Sequence, residues 1–198
     1  MRFIGDIHGN FMQYCGIAQQ VGHSVQVGDY GAGFSYPYPE FDENNHRFIR
    51  GNHDSPEECR RHPNWINDGR VEETIHSGAI MYVGGARSID QEWRTEGHNW
   101  WPEEELSIAE LGRMVDRYID LKPAVMVTHD CPEAVVHPFF GSLAVSEDTR
   151  TRQAFQSMWE AHKPDLWIFG HWHYAVDQKV LGTRFICLDQ LTYVDLDL

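Results

Sequence analysis

The stretch Leu166-Trp167-Ile168-Phe169-Gly170-His171-Trp172-His173 joins an apolar run to a polar turn that begins with glycine. Four apolar residues bounded by Gly are typical of a buried strand. The same pattern of a short apolar or β-branched run followed by a polar segment recurs at residues 3–4, 24–27, 47–49, 79–83, 124–127 and 184–188. We therefore predict seven short buried strands.

Helical patterns lie between these runs, at residues 10–21, 56–61, 103–121 and 149–162. The third has two possible starts: Ser107 to Glu110 resembles a capping box, and the acidic residues 103–105 are equally suited to a helix start. Residues 31–45 and 85–102 are predicted loops. Strands alternating with helices indicate an α/β layered fold, and 198 residues suit one domain over 1–198.

Polar residues that can bind metal follow five of the predicted strands. In α/β folds, ligands gather at the carboxyl ends of the strands, so these segments are predicted to meet in one site. The seven candidate metal ligands are Asp6, His8, Asp29, Asn52, His129, His171 and His173.

Seven ligands fit two metals rather than one. We assign Asp6, His8 and His173 to the first metal, Asn52, His129 and His171 to the second, and Asp29 to a bridge between them. Carboxylate and imidazole ligands without thiolates suit Mn, Fe, Zn or Ni, and we prefer Mn. Two such ions roughly 3.5–4 Å apart can clamp both oxygens of an in-line phosphoryl displacement.

His53 is not needed as a ligand and is the predicted general acid, which would protonate the leaving alkoxide. The predicted catalytic residues are thus His53 and Asn52, the latter also a metal ligand. The nucleophile would be a hydroxide bridging the two metals.

The order Asp-x-His, Gly-Asp, Gly-Asn-His-Asp, His and Gly-His-x-His resembles the calcineurin-like metallophosphoesterase superfamily from Asp6 to His173. The resemblance implies a four-layer α/β/β/α sandwich of two mixed sheets flanked by helices, with a dinuclear metal centre. The ligand and catalytic assignments above match the family's motifs.

The chain departs from the serine/threonine protein phosphatases of that superfamily. Ala32 stands where that branch has an Asp that orients the catalytic histidine, and Gly33 stands where it has a phosphate-binding Arg. Protein phosphatase activity is therefore not expected. Asp54 or another carboxylate is left to orient His53.

Residues 84–90 (Gly-Gly-Ala-Arg-Ser-Ile-Asp), Arg94 and residues 100–104 (Trp-Trp-Pro-Glu-Glu) resemble a subgroup of bacterial and phage metallophosphoesterases. Arg87 and Arg94 are the predicted substrate-binding residues, because guanidinium groups match phosphate oxygens. Arg87 has an alternative, pairing with Asp90 or Glu92. Trp100 and Trp101 are expected to pack in the core rather than stack on substrate.

The formal net charge is −14, with 30 acidic and 16 basic residues and no basic run. This balance disfavours long nucleic acids, which require clustered Lys and Arg. No apolar run reaches the ~20 residues of a membrane span, and we see no signal peptide. Cys15, Cys59, Cys131 and Cys187 are spread apart and are predicted to be reduced thiols. We expect a cytoplasmic protein whose partner is a small or exposed phosphoester.

Three functions are consistent with these features. The first is a dinuclear-metal-dependent phosphoesterase acting on a small or exposed phosphomonoester or phosphodiester. The second is a nuclease acting on nucleic-acid ends, which the acidic charge opposes. The third is a catalytically silent metal-binding scaffold, which the complete ligand set and His53 oppose. The oligomeric state is not indicated by the sequence.

Overall fold

The computed structural model describes residues 1–42, 44–141 and 149–198. The strands, in chain order, are β1 (Arg2–Ile4), β2 (Ser24–Gln26), β3 (His46–Phe48), β4 (Val71–Thr74), β5 (Gly78–Val83), β6 (Val125–Thr128), β7 (Leu166–Phe169), β8 (Val176–Val180), β9 (Thr183–Cys187) and β10 (Tyr193–Asp195). The helices are α1 (Phe11–Ala18), α2 (Pro56–Arg61), α3 (Ile108–Leu121), α4 (Glu133–Phe140) and α5 (Arg150–Ala161).

Among the described residues, the strands form two mixed sheets. The smaller has the order β10-β1-β2-β3, with β1, β2 and β3 parallel and β10 antiparallel to β1. The larger has the order β4-β5-β6-β7-β9-β8. Its four central strands are parallel, and β4 and β8 are antiparallel edges.

Side chains along the central strands alternate between two cores. In β6, Val125 and Val127 lie in the core between the sheets, whereas Met126 faces the core beneath the helices. Strand β7 repeats the pattern, with Ile168 between the sheets and Trp167 beneath the helices. Successive side chains point to opposite sides of a sheet. Because a core covers each side of this sheet, both faces of the strand are buried. This is why the apolar runs are continuous.

The outer layers complete a four-layer α/β/β/α sandwich, as predicted. Against the larger sheet, Tyr118 of α3 and Phe155 of α5 pack in one core. Against the smaller sheet, Tyr14 of α1 and Cys59 of α2 pack in another. No helix within the described residues is long and apolar enough to cross a membrane.

The seven predicted strands are present, and two of the four predicted helices agree within a residue at each end. Residues 56–61 form α2, and α5 forms within the predicted 149–162, with Thr149 as its N-cap and His162 as its C-cap. Helix α1 is shorter than predicted, beginning after its N-cap Asn10 and ending at Ala18.

The predicted start at residue 103 was wrong for α3. Ser107 forms a complete capping box with Glu110, so the helix begins at Ile108. Residues 102–104 form a separate 3₁₀ turn.

Elements that the sequence reading did not predict are β4, β8, β10 and α4. Three are short strands at sheet edges, where apolar runs are not required. Helix α4 has eight residues and contains Pro138, which interrupts the helical pattern. The predicted loop 31–45 includes Glu43, which lies outside the described residues, and the loop 85–102 contains a 3₁₀ turn at Gln91–Trp93.

Candidate metal centre

All seven candidate ligands follow the carboxyl ends of parallel strands and meet at one edge of the sandwich. Asp6 follows β1, Asp29 follows β2 and Asn52 follows β3, while His129 follows β6 and His171 follows β7. The ends of parallel strands share one edge of a sheet, and the two sheets pack face to face. The fold thus gathers side chains that lie up to 167 residues apart, as the numbers of Asp6 and His173 show.

The first group of ligand atoms comes from Asp6, His8, Asp29 and His173. One ligand atom of each lies within 4.8 Å of the others. His173 Nε2 lies 3.1 Å from Asp6 Oδ2 and 3.0 Å from His8 Nε2. His8 Nε2 is 3.9 Å from Asp29 Oδ2. Two carboxylates and two imidazoles at this spacing form a donor set suited to one divalent cation.

A second group lies beside the first and shares Asp29. Asn52 Oδ1 lies 3.1 Å from His129 Nε2 and 3.0 Å from His171 Nδ1. His129 Nε2 is 3.3 Å from Asp29 Oδ1. Asp29 therefore presents one carboxylate oxygen to each group.

The hydrogen bonding of His129 tests whether a cation fits here. Its Nδ1 lies 2.8 Å from the Val27 carbonyl and must donate to it, so the neutral ring has its lone pair on Nε2. That lone pair faces the oxygens of Asn52 and Asp29, which are also acceptors. Burial would lower the pKa of His129, yet the Asp29 carboxylate raises it to about 10. The same negative field favours a metal cation in place of the proton.

The pKa values of the neighbouring groups suit metal ligands. Burial opposes ionisation of Asp29, but His129, His53 and His8 hold its pKa below the ordinary value. Burial lowers the pKa of His171 to about 4, so this imidazole is neutral at neutral pH and has a lone pair for a metal.

Four of the candidate ligands have a left-handed backbone conformation. The φ angles are 45° at His8, 56° at Asp29, 69° at His171 and 47° at His173. Residues other than glycine rarely adopt this region, and such strain concentrates at functional sites. The two turns at His171 and His173 also explain how two histidines separated by one residue both face the cluster.

Gly51 leaves room for the second group. A β-carbon at Gly51 would overlap the Asp29 carboxylate and would lie 2.7 Å from His129 Nε2. This close approach accounts for the glycine that precedes Asn52.

Asp54 holds the backbone around the site through its carboxylate. Its carboxylate is buried and accepts four backbone N–H hydrogen bonds, from Tyr30, Gly31, Ala32 and Gly51 at 2.7–3.1 Å. These contacts give Asp54 no direct part in orienting His53, and the carboxylate that reaches the His53 ring is Asp90, through Arg94. The Asp54 carboxylate instead joins the turn that follows Asp29 to the turn that precedes Asn52.

His53 lies beside the cluster and against Arg94. Its backbone N–H donates to Asp29 Oδ1 at 2.8 Å, and its ring is edge-on to His8 with centroids 5.2 Å apart. Arg94 Nη1 and Nη2 lie 2.9 and 2.7 Å from the two ring nitrogens, and Arg94 also forms a bidentate pair with Asp90. Burial and the Arg94 charge lower the pKa of His53.

A cavity of about 790 Å³ opens over the cluster. His53 and Arg94 line it, together with ligands of both groups. Arg87 lines a different cavity, beside Trp100 and Thr149. The structure therefore brings Arg94 to the candidate site and places Arg87 elsewhere. Trp101 packs edge-on against Phe34 with centroids 5.2 Å apart.

Asp130 is a functional candidate to which the sequence reading assigned no role. It is fully buried, accepts from Arg152 Nε at 2.7 Å and from Trp172 Nε1 at 3.0 Å, and lies 4.0 Å from His171 Nε2. Its position next to His129 was the available signal, because carboxylates often support metal-binding histidines from behind.

Comparisons with known proteins agree with this geometry. The profile of the calcineurin-like phosphoesterase family matches residues 2–175. The chain therefore belongs to this family. A search of curated protein sequences found no match.

Two solved structures share the fold at low sequence identity. A phosphopantetheinyl hydrolase from Mycobacterium tuberculosis is 14% identical with a TM-score of 0.53, over 96% of this chain and 89% of that one. A candidate 5'-nucleotidase from Staphylococcus aureus, solved with alpha-ketoglutarate, is 12% identical with a TM-score of 0.52, over 99% of this chain. The match spans only 50% of the length of the Staphylococcus protein.

Proposed function

We propose that this chain hydrolyses a small or exposed phosphomonoester or phosphodiester with two divalent cations. The observation that carries the proposal is the shared Asp29 carboxylate, whose two oxygens face two separate groups of ligand atoms. Asp6, His8 and His173 would hold one cation with Asp29. Asn52, His129 and His171 would hold the other.

The donor set supports Mn first, with Fe, Zn or Ni as alternatives, because it combines carboxylate, amide and imidazole groups without thiolates. When bound, a pair of such cations supplies Lewis acidity to the phosphoryl group and activates water as the nucleophile.

We assign Arg94 to the phosphate oxygens and His53 to the leaving group. Both line the cavity, and Asp90 fixes the Arg94 guanidinium through two hydrogen bonds of 2.7 and 2.9 Å. An anionic phosphoester entering beside His53 would raise its pKa and favour the protonated ring, since opposite charge stabilises it. The substrate phosphate would take the Arg94 N–H groups that face the two ring nitrogens, which would free a ring N–H of His53 to donate a proton to the departing oxygen. Arg87 has no part in this proposal, because it lines another cavity.

The size of the site and the net charge of the chain support a small substrate. A cavity of about 790 Å³ is within the range of small-molecule pockets. The net charge of −14 opposes a long nucleic acid. A cytoplasmic location stays a prediction, which the four free thiols suit. We also propose that residues 1–198 act as one domain.

The test is metal dependence on two classes of substrate. Protein freed of metal should be inactive on an aryl phosphate and on a bis-aryl phosphate, and Mn should restore turnover of at least one. The ratio of the two rates then assigns monoester or diester preference. Undiminished turnover in excess chelator, with no metal detected by elemental analysis, would exclude the proposal. Two bound metals without hydrolysis of either ester would instead favour a binding protein.

A further inference from the structure

The segment 84–105 reaches Asn52 through a buried chain of three side chains. Asn52 Nδ2 donates to Ser88 Oγ at 3.0 Å. Ser88 Oγ donates to Glu104 Oε2 at 2.5 Å, and the Ser88 backbone N–H donates to Glu104 Oε1 at 3.0 Å. We propose that Ser88 and Glu104 are positioning residues that orient the Asn52 amide so that its Oδ1 faces the second cation site. The inference rests on the proposed function.

Burial raises the pKa of Glu104, and the hydrogen bonds from the Ser88 hydroxyl and backbone N–H oppose that shift by favouring the ionised form. With Glu104 ionised, the count of donors and acceptors permits only one orientation of the amide. An ionised carboxylate only accepts hydrogen bonds, and a serine hydroxyl has a single proton. Glu104 takes that proton, so Ser88 Oγ has only a lone pair to offer Asn52. A reversed amide would put Asn52 Oδ1 against that lone pair and point its N–H groups at the cluster. The chain of hydrogen bonds therefore selects the rotamer that presents oxygen to the metal.

Burial makes this selection strong. Asn52, Ser88 and Glu104 are only 2%, 2% and 3% exposed, so water cannot replace a missing partner. A buried carboxylate is costly, and an apolar side chain would fill the same space more cheaply. The presence of Glu104 is therefore better explained by what it holds than by packing.

Arg50 links the segment to the turn that carries Asn52. Its Nη1 donates to the carbonyls of Glu103 and Glu104, each at 2.9 Å, and its Nε pairs with Asp68 at 2.9 Å. Arg50 lies two residues before Asn52 and is 3% exposed. The Arg50 side chain thus fixes the Glu104 backbone relative to the turn that carries Asn52. This keeps Asn52, Ser88 and Glu104 within hydrogen-bonding distance of one another.

The experiment measures Mn binding rather than turnover. Chelated wild type and variants are titrated with Mn by calorimetry. Ser88→Ala should weaken one of the two Mn steps by roughly 10–100-fold, the usual effect of removing an outer partner of a ligand, and leave the other step unchanged. Glu104→Gln should act similarly. The glutamine carbonyl would accept from the Ser88 N–H, and the glutamine NH₂ would donate to Ser88 Oγ. The Ser88 hydroxyl proton would then be free to donate to Asn52, which favours the reversed orientation of the Asn52 amide.

A double-mutant cycle tests whether Ser88 acts through Asn52. Ser88→Ala added to Asn52→Ala should cause no further loss of Mn affinity, whereas independent effects would add. Ser88→Thr keeps the hydroxyl and should keep most of the affinity. The matched control is Ser107→Ala, whose hydroxyl also donates to a glutamate, Glu110, in the capping box of α3. It should lower stability and leave both Mn steps unchanged.

The outcomes separate this inference from the proposed function. Wild type that binds no second Mn overturns both. Wild type that binds two Mn, with Ser88→Ala and Glu104→Gln unchanged, overturns only the positioning role. So do additive losses in the cycle, or a loss in Ser88→Thr equal to that in Ser88→Ala. If Ser88→Ala does not fold, Glu104→Gln decides, because it has the same shape as the native side chain.

Discussion

Asp54→Asn should strongly destabilise the protein, although it changes one oxygen to nitrogen. The Asp54 carboxylate is 0% exposed. One of its oxygens accepts from the N–H groups of Gly31 and Ala32, and the other accepts from those of Tyr30 and Gly51. Whichever way the new amide turns, its NH₂ group faces two backbone donors that have lost their acceptor.

The size of the effect follows from that count. A buried donor without a partner costs about 1–3 kcal/mol, so two give about 2–6 kcal/mol. The free energy of unfolding of a domain is only about 5–15 kcal/mol, so the variant should keep a much smaller free energy of unfolding or should not fold. The affected turns carry Asp29 and Asn52, and Mn affinity should therefore fall together with stability.

Urea unfolding in excess chelator measures the effect without the stabilisation that bound metal adds to the folded state. The matched control is Asp177→Asn, which breaks a surface pair with Arg184 at 2.6 Å between half-exposed side chains. Such pairs contribute about 0–1 kcal/mol. If Asp54→Asn lowers the free energy of unfolding by no more than Asp177→Asn does, the account of Asp54 as the common acceptor of four amides is wrong.

Three further predictions concern other residues. Asp29→Asn should remove metal occupancy and activity together, since this carboxylate faces both ligand groups; two metals by elemental analysis with near-native turnover would contradict the bridging role. His53→Asn should keep both metals and lower kcat by roughly 10²–10⁴-fold on an alkyl ester but much less on a nitrophenyl ester, whose leaving group needs little protonation; equal losses on the two esters would exclude the acid role. The hydrogen bond from Arg47 lowers the pKa of Glu72, so the stabilisation by this pair is present above the ordinary pKa and is lost as pH falls through the lowered one. Glu72→Gln should therefore lose less unfolding free energy than wild type between neutral and acidic pH in chelator; parallel curves would refute this.

Local patterns predicted the layers of the fold well. The run at residues 166–169 is apolar at every position, which predicts a strand buried on both faces, and β7 has that environment. Strand β8 escaped prediction because Asp177, Gln178 and Lys179 face solvent at a sheet edge and carry no apolar pattern. The start of α3 depended on whether Ser107 or the acidic residues before it capped the helix, and only the geometry of the capping box settled it.

The candidate site divides along the same line. Sequence placed Asp6, Asn52 and His129 directly after apolar runs, and the fold brings such positions to one edge. The sequence could not show which of Arg87 and Arg94 reaches the site, because both lie in a long loop whose path depends on what the loop packs against. In the structure Arg94 reaches His53, and Arg87 lines another cavity.

The sequence by itself determined the number and order of the buried strands, the residue types at their ends and the family to which the chain belongs. These properties are local: a strand is encoded by consecutive side chains, and a ligand is encoded by its chemistry and the turn beside it. Only the tertiary structure decided which groups support the ligands, such as Ser88 behind Asn52 and Asp130 behind His171. Such pairs lie 36 and 41 residues apart, and their contact is set by the packing of two sheets and the course of one loop, which no local pattern encodes.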